Sequence, residues 1–350
     1  MTKTLFIQDK LEWNAYVSKA AEYDFGHTWH YHMLDTSGTP LLFIYENNDG
    51  FIGLPLIKRP IPDSAYFDLT SVYGFTGPIS SFAMHCVPES LMSEFKSAFI
   101  RFLDDGKFIT VFSRLHPVFQ QTNILQQFGG LYDNGLSVVI DLSIDNDVRR
   151  KNYRDTSYHR IKQAWKKGFT VKEEKGPMAV ATFSSIYLEN MELVGASASY
   201  MFNEEYISKL IDTDEYDARI LTVYDGDTAI ASTVITFTNG IIEAYLVGTR
   251  NDYRKHSPAK LLVDEICVLG NKLGMKYYNL GGGLGFKQDS LFSWKASFSD
   301  LFLPYSTWRY IANPTAYNAL LDERGIDKNS DLDFFPLYRS ACMNEQAHVK

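Results

Sequence analysis

GTRNDYRKHSPAKLLVDEICVLGNKLGMKYYNLGGG, Gly248 to Gly283, passes from the end of one strand through a basic connection into a helix, and then into a strand that runs onto three glycines. Ser257 suits an N-cap and Pro258 a first helical position. Leu262, Ile266, Leu269 and Leu273 recur at helical spacing as one inward stripe, and Gly274 closes the helix. A helix starting there turns unsatisfied amides toward Arg250, Arg254, Lys255, His256 and Lys260, which suits a phosphate or pyrophosphate; a solvated basic loop has the same composition. The glycines match neither familiar nucleotide loop. Counting on from Gly281, the Walker pattern lacks its second glycine and its hydroxyl, since Phe286, Lys287 and Gln288 stand there, and the dinucleotide pattern meets Phe286 instead of a third glycine. They supply a tight turn after the strand MKYYNL.

Working outward, the same order of elements occurs twice. LLFIYENNDGFIGLPLI and ARILTVYDGDTAIASTVITF each read as strand, Asp-Gly turn, strand, and Gly50 answers Gly226, 176 residues on. Each hairpin is followed by a further strand, AYFDLTSVYGF or NGIIEAYLVGT. A helix follows, PESLMSEFKSAFIRFLDD or SPAKLLVDEICVLGNKLG, and then a strand, KFITVFSRL or MKYYNLGGG. Gly106 answers Gly274, 168 residues on, so the two offsets nearly agree. The order predicts an α/β protein with mixed (α+β) sheets in two tandem units. The expected divisions are 1–145 and 146–312, with 313–350 returning to the first unit through PTAYNALLDERG.

At 350 residues, 45% hydrophobic and 15% aromatic, the chain can build two cores. A net charge of −8 argues against a general nucleic-acid binder and against DNA as a partner. Three scattered cysteines suit free thiols in a reducing compartment. With no signal-peptide core and no long apolar run, the expectation is a cytoplasmic protein without an integral membrane segment.

Other stretches carry candidate chemistry. RRKNYRDTSYHRIKQAWKKG holds eight Lys/Arg against one acid; Tyr158, Ile161 and Trp165 read as its inward stripe, with Arg154 and Arg150 at the core edge where a ligand could reach them. HTWHYH offers His27, His30 and His32 on a supposed strand, but no further ligand stands at a useful spacing, so no metal site is expected. Alternation along IIEAYLV puts Glu243, Tyr245 and Val247 on one face and Ile242, Ala244 and Leu246 on the other. Glu243 becomes a candidate base and Tyr245 a candidate acid, with an edge carboxylate as the plainer reading. In DSLFSWKASFS, helical spacing turns Leu291, Trp294 and Phe298 to the core and leaves Phe292 and Lys295 facing the glycine turn, where a cation can hold a phosphate or an oxyanion.

The second half resembles the GNAT acyltransferase fold. The opening string, followed by DSLFSWKASFS, resembles the Fem family of aminoacyltransferases and its FemAB-like relatives, with a looser likeness in DLTSVYGFTGP, which contains Tyr73. The resemblance implies a duplicated GNAT-like unit and a reaction moving an aminoacyl group from aminoacyl-tRNA to an amine of a nucleotide- or lipid-linked envelope precursor. The candidate site is drawn from Lys295, Glu243 and Tyr245 for catalysis, and from Tyr73, Arg154, Arg254, Lys255, Ser257, Lys260, Gly282 and Gly283 for substrate. No permanently bound cofactor is implied; the donor is acyl-CoA or aminoacyl-tRNA. The family's Phe-Lys pair appears as Trp294-Lys295. The glycine-rich pyrophosphate loop of acetyl-CoA enzymes is missing after Arg250, where Asp252, Tyr253 and Arg254 stand, and there is no helical arm for tRNA. The competing readings are an acyl-CoA N-acyltransferase and a non-catalytic sugar-nucleotide binding protein.

Overall fold

The computed structural model describes residues 1–340, which divide into unit 1, Met1–Asn134 with the chain from Tyr305, and unit 2, Gly135–Pro304. Unit 1 opens with β1 (Thr2–Phe6), α1 (Lys10–Lys19) and α2 (Trp29–Met33). The hairpin β2 (Thr39–Glu46) and β3 (Phe51–Pro60) is turned by Asn47, whose Oδ1 accepts from the amides of Asp49 and Gly50. β4 (Phe67–Thr70), β5 (Ile79–Ser80), α3 (Glu89–Asp105), β6 (Phe108–Arg114) and α4 (Thr122–Leu125) follow.

Unit 2 takes β7 (Leu131–Asp141) from Gly135 on, then α5 (Asn146–Lys151), α6 (Asp155–Lys166), β8 (Thr170–Glu174), α7 (Pro177–Leu193) and α8 (Glu204–Ile211). β9 (Asp217–Asp225) and β10 (Thr228–Thr238) form its hairpin around Gly226, whose φ of 58° is left-handed. β11 (Ile241–Thr249), α9 (Ala259–Lys272), β12 (Tyr277–Gly281) and α10 (Ser290–Lys295) complete it. The chain re-enters unit 1 within β13 (Leu301–Ile311), and α11 (Pro314–Glu323) packs there on Ile61 and Ile109.

The two units repeat one topology. Unit 1 orders its strands β1-β2-β3-β4-β6-β13 and unit 2 β8-β9-β10-β11-β12-β7. In each, the fourth and fifth strands pair parallel, and every other neighbouring pair is antiparallel. The divisions fall earlier than 145 and 312 because β7 and β13, the sixth strand of each unit, both straddle a boundary.

Burial follows the apolar periodicity with local departures. On α3, Leu91, Phe95, Ala98, Phe99 and Leu103 form the inward stripe, and Phe95 and Phe99 pack with Phe43 at ring separations of 5.9 and 5.0 Å. Each such ring contributes about 1.5–3 kcal/mol through burial. On α9, Leu262 and Ile266 are buried as the stripe requires, but Leu273 is 40% exposed because it is the C-cap, where the helix leaves the core. Ser257 is not the N-cap: its φ of 52° is left-handed, Pro258 takes the cap position and the helix starts at Ala259. On α6 the inward face is Ser157, Ile161 and Ala164, leaving Tyr158 half-buried and Trp165 37% exposed. HTWHYH is not a strand. His27 lies in a 3-10 turn, and His30 and His32 lie on α2, so the supposed shared strand face does not exist. Burial lowers the pKa values of His27 and His32 to about 4. Among the described residues no helix is long and apolar enough to cross a membrane.

Candidate active site

In unit 2 the parallel pair β11 and β12 stays together only from Ile241 to Glu243, against Tyr277 to Asn279. β11 then runs on to Thr249 along β10, while β12 ends at Gly281. Two bulges help part them. One places Tyr245 as an extra residue between the pairs Val234/Leu246 and Ile235/Ala244, and the other falls between Asn279 and Gly281, where β12 pairs with β7. The pairing thus ends at the carboxyl ends of two parallel strands, the place where α/β sheets bind ligands. The corresponding pair in unit 1, β4 and β6, is followed by a bridge between Thr76 and Leu115, and the Thr76 carbonyl accepts from Gln121 at 2.6 Å and faces His27 Nε2 at 3.1 Å.

Glu243 sits where the strands part and is buried, 5% exposed, which removes the edge-carboxylate reading. Asn279 Nδ2 donates to its two oxygens at 2.9 and 3.1 Å. Asn279 Oδ1 in turn accepts from Ser137 Oγ at 2.7 Å and from the Gly281 amide at 3.1 Å, so the orientation of the amide group is fixed on both sides. Sequence reasoning missed Asn279. Its one signal was a lone polar residue inside the apolar strand YYNL. The bulge also corrects the alternation: Glu243 and Tyr245 keep a common face, but Leu246 and Val247 trade places, Leu246 being buried and Val247 44% exposed. Tyr245 places its hydroxyl 2.5 Å from that of Tyr206 on α8, and Phe202 stacks on Tyr206 at 4.6 Å.

Asp289 builds the turn that carries Lys295. Its carboxylate accepts from the Phe292 amide at 2.8 Å and from Leu284 at 3.0 Å, and these bonds hold its pKa below the usual carboxylate range. Lys295 Nζ donates to the Gly282 carbonyl at 2.7 Å. Burial pushes its pKa down to about 8, against the opposing pull of Asp289 and Glu243. The helix is turned differently from its predicted register: Phe292 is buried and Leu291 is 44% exposed, while Lys295 faces the glycine turn as expected.

The glycines are packed rather than open. A Cβ on Gly282 would lie 2.9 Å from the Leu136 carbonyl, and one on Gly283 would lie 2.1 Å from the Lys287 carbonyl. Gly282 and Gly283, expected at the substrate, instead let the chain close on itself. Gly281 has a φ of 74°, and a Cβ there would lie 3.3 Å from Lys295 Nζ. Gly281→Ala should therefore lose about 1–2 kcal/mol, measured by urea unfolding, with strained backbone as the main cause.

The basic residues separate. Arg254 and Lys255 are exposed on the 3-10 turn Asn251–His256, while Arg250 is held by Glu189 at 2.6 Å. Lys260 turns inward, away from any ligand at the helix start: its ammonium donates to Ser157 Oγ at 2.5 Å and lies 3.4 Å from Ser297 Oγ. Burial, with Arg160 and Arg154 nearby, lowers its pKa to about 8. Arg154 reaches α10 through its backbone amide on the Ser297 carbonyl, 2.9 Å, and its guanidinium 3.4 Å from the Ser293 carbonyl. Arg150 does not reach toward a ligand but pairs with buried Asp264. Tyr73 lies in unit 1, 40% exposed as a residue, with its carbonyl accepting from the Tyr31 hydroxyl at 2.9 Å.

Residues 151–288 match the acetyltransferase (GNAT) domain model. The chain has the fold of FemX, with a TM-score of 0.71 at 12% identity over 91% of this chain and 99% of that one. L-PGS from Bacillus licheniformis aligns with a TM-score of 0.56 at 14% identity, over 91% and 97% of the two chains. The C-terminal domain of a lysylphosphatidylglycerol synthetase candidate from Agrobacterium fabrum aligns at 0.52 and 12%, over 81% and 88%. No curated protein matches the chain in sequence. The fold class is thus mixed α/β with GNAT-like units in tandem, resembling the Fem proteins.

Proposed function

We propose, from a tandem GNAT-like fold shared with FemX, that this chain is an acyltransferase. It passes an acyl or aminoacyl group to an amine on a nucleotide-activated sugar or cell-envelope precursor, nucleotide- or lipid-linked. The observation that carries the reading is the buried Glu243, oriented by Asn279 where β11 and β12 part.

An acceptor amine arrives as an ammonium and must lose a proton before its nitrogen can attack. Glu243, acceptor of the Asn279 amide and buried where the strands part, takes that proton. The nitrogen lone pair then forms a bond to the acyl carbon, and the carbonyl π pair moves onto oxygen. Collapse re-forms the carbonyl and expels the donor's oxygen or sulfur; Tyr245, whose hydroxyl is paired with that of Tyr206, gives its proton to the leaving group and takes the second proton from the amine nitrogen, so that the neutral amide forms and the phenol is restored. Lys295 is assigned the negative charge, either the oxyanion or a substrate phosphate. Donor and acceptor are held together without a covalent enzyme intermediate. Aminoacyl-tRNA or acyl-CoA can each supply the group; Arg254 and Lys255, exposed beside the start of α9, are the residues proposed to meet its phosphates.

Thermal-shift titration against acyl-CoAs, aminoacyl-tRNA mimics and UDP-amino sugars tests the reading. A true ligand at about 100 times its Kd should stabilise by about 2.7 kcal/mol. Arg254→Ala with Lys255→Ala should weaken that ligand and flatten its salt dependence while the unliganded Tm stays put. If none of the three classes shifts Tm, and none supports turnover, the transferase reading is wrong.

A further inference from the structure

We propose that the face of unit 2 formed by α5 and α6 docks on an anionic lipid surface. The chain carries a net charge of −8, yet between Arg149 and Lys167 it places eight Lys/Arg against the single acid Asp155. The structure sorts these cations. Arg149 is buried on Asn146, Arg150 is committed to Asp264 and Arg154 leans on α10. Lys151, Arg160, Lys162, Lys166 and Lys167 remain exposed.

Two apolar side chains lie exposed on the same two helices, Val148 at 48% and Trp165 at 37%. Cations sit on the neighbouring rings: Lys162 Nζ is 4.5 Å from the Tyr158 ring, and the Arg150 guanidinium is 5.4 Å from that of Trp165. The charge continues past α6, because Lys167 Nζ lies 3.3 Å from His256 Nε2, next to Lys255. Acids stand among them: Asp145 caps α5, Asp147 lies 3.7 Å from Arg150, Asp155 starts α6, Asp252 is in the turn that carries Lys255 and Asp225 faces His256, while burial holds the Glu265 carboxyl above the usual range.

This combination selects among polyanions. A lipid surface takes the ammonium groups at its phosphates and an indole edge and an aliphatic side chain at the boundary with the acyl chains. A nucleic acid would use the cations and the rings but offers nothing to an exposed valine. The residues that dock, Lys162, Trp165, Lys166 and Lys167, include none assigned to acyl transfer, so the two readings fail independently.

Co-sedimentation of the full chain with vesicles decides it. In about 0.1 M salt, the protein should partition onto phosphatidylcholine vesicles carrying about 30 mol% phosphatidylglycerol, and not onto pure phosphatidylcholine. Lys162→Gln, Lys166→Gln and Lys167→Gln together should lower the partition coefficient on the order of 10²-fold, from three lost charges near the surface. Vesicles should also blue-shift the tryptophan emission of the native chain, and Trp165→Phe should abolish that shift. Circular dichroism checks that the variants fold, and raised salt should release the native chain whatever the variants do. Equal partition onto both vesicles, no partition, or a triple variant that binds as before would each overturn the proposal. So would a charge-dependent affinity for single-stranded RNA in a protein that ignores vesicles, which would assign the face to a nucleic acid.

Discussion

Replacing Lys295 by alanine lowers kcat by about 10²-fold or more in a transferase assay, if its contact strengthens as charge develops on the reacting oxygen. The expectation rests on position: the ammonium is tethered to the Gly282 carbonyl at the end of β12, behind a turn pinned by Asp289. A contact made equally to bound substrate would instead raise KM and leave kcat alone. Native kcat and KM in the variant would mean that the lysine stem merely covers the aromatic core. The pH profile gives a second reading. With a pKa lowered to about 8, the free enzyme loses the charge above that pH, so kcat/KM should fall on an alkaline limb near 8. Lys295→Arg, charged throughout, should remove the limb. Stability runs the other way. Between about 8 and the unfolded value of 10.5, the unfolded chain holds the proton and the folded one does not. Stability therefore rises with pH across that window, and the full cost of the buried charge is present below about 8. Lys260, also near 8, adds a similar rise, so Lys295→Met should flatten only part of it.

Asp264→Ala should cost about 3–5 kcal/mol in urea unfolding. Asp264 is fully buried on α9 and accepts from Arg150 Nε at 3.0 Å, from Arg150 Nη2 at 2.8 Å and from the Tyr153 hydroxyl at 3.2 Å. Truncation strands a guanidinium and a phenol together, in a place that Asp147, 3.7 Å from the guanidinium, only partly compensates. Arg150→Met combined with Asp264→Leu should recover much of the loss, because the desolvation cost leaves with both partners. A loss below about 1 kcal/mol in the single variant would show that water reaches Arg150 as it would a surface ion pair.

The repeated order of elements was legible because two hairpins, two helices and their glycine stops recur at nearly equal spacing, and each signal is local. Helix α9 was legible for the same reason, apart from its first turn: a serine before a proline looks like a cap, and nothing in the sequence says that its φ is positive. The site was legible in part. Lys295 followed from a glycine turn, a short helix and a family resemblance. Glu243 could be named, but whether it faced water or the core depended on Asn279, which lies 36 residues on and meets it only through parallel pairing. The bulge at Tyr245 was invisible because alternation assumes an unbroken ladder. Lys260 and Arg150 were misplaced for a related reason. A charge run states how many cations there are, whereas Ser157 and Asp264, from other elements, decide which of them turn inward.

The late arrival of β13 has a consequence for how the chain is made. A ribosome releases all of unit 2 before it releases Tyr305, yet the sheet of unit 1 lacks its sixth strand until Thr307 to Ile311 pair with β6. The first-synthesised half is thus the last to be completed, reversing the usual order in which amino-terminal domains finish folding first. Throughout elongation the β6 edge stays open to unintended strand pairing, and a nascent chain stalled short of Tyr305 should be captured by chaperones more readily than its finished unit 2 alone.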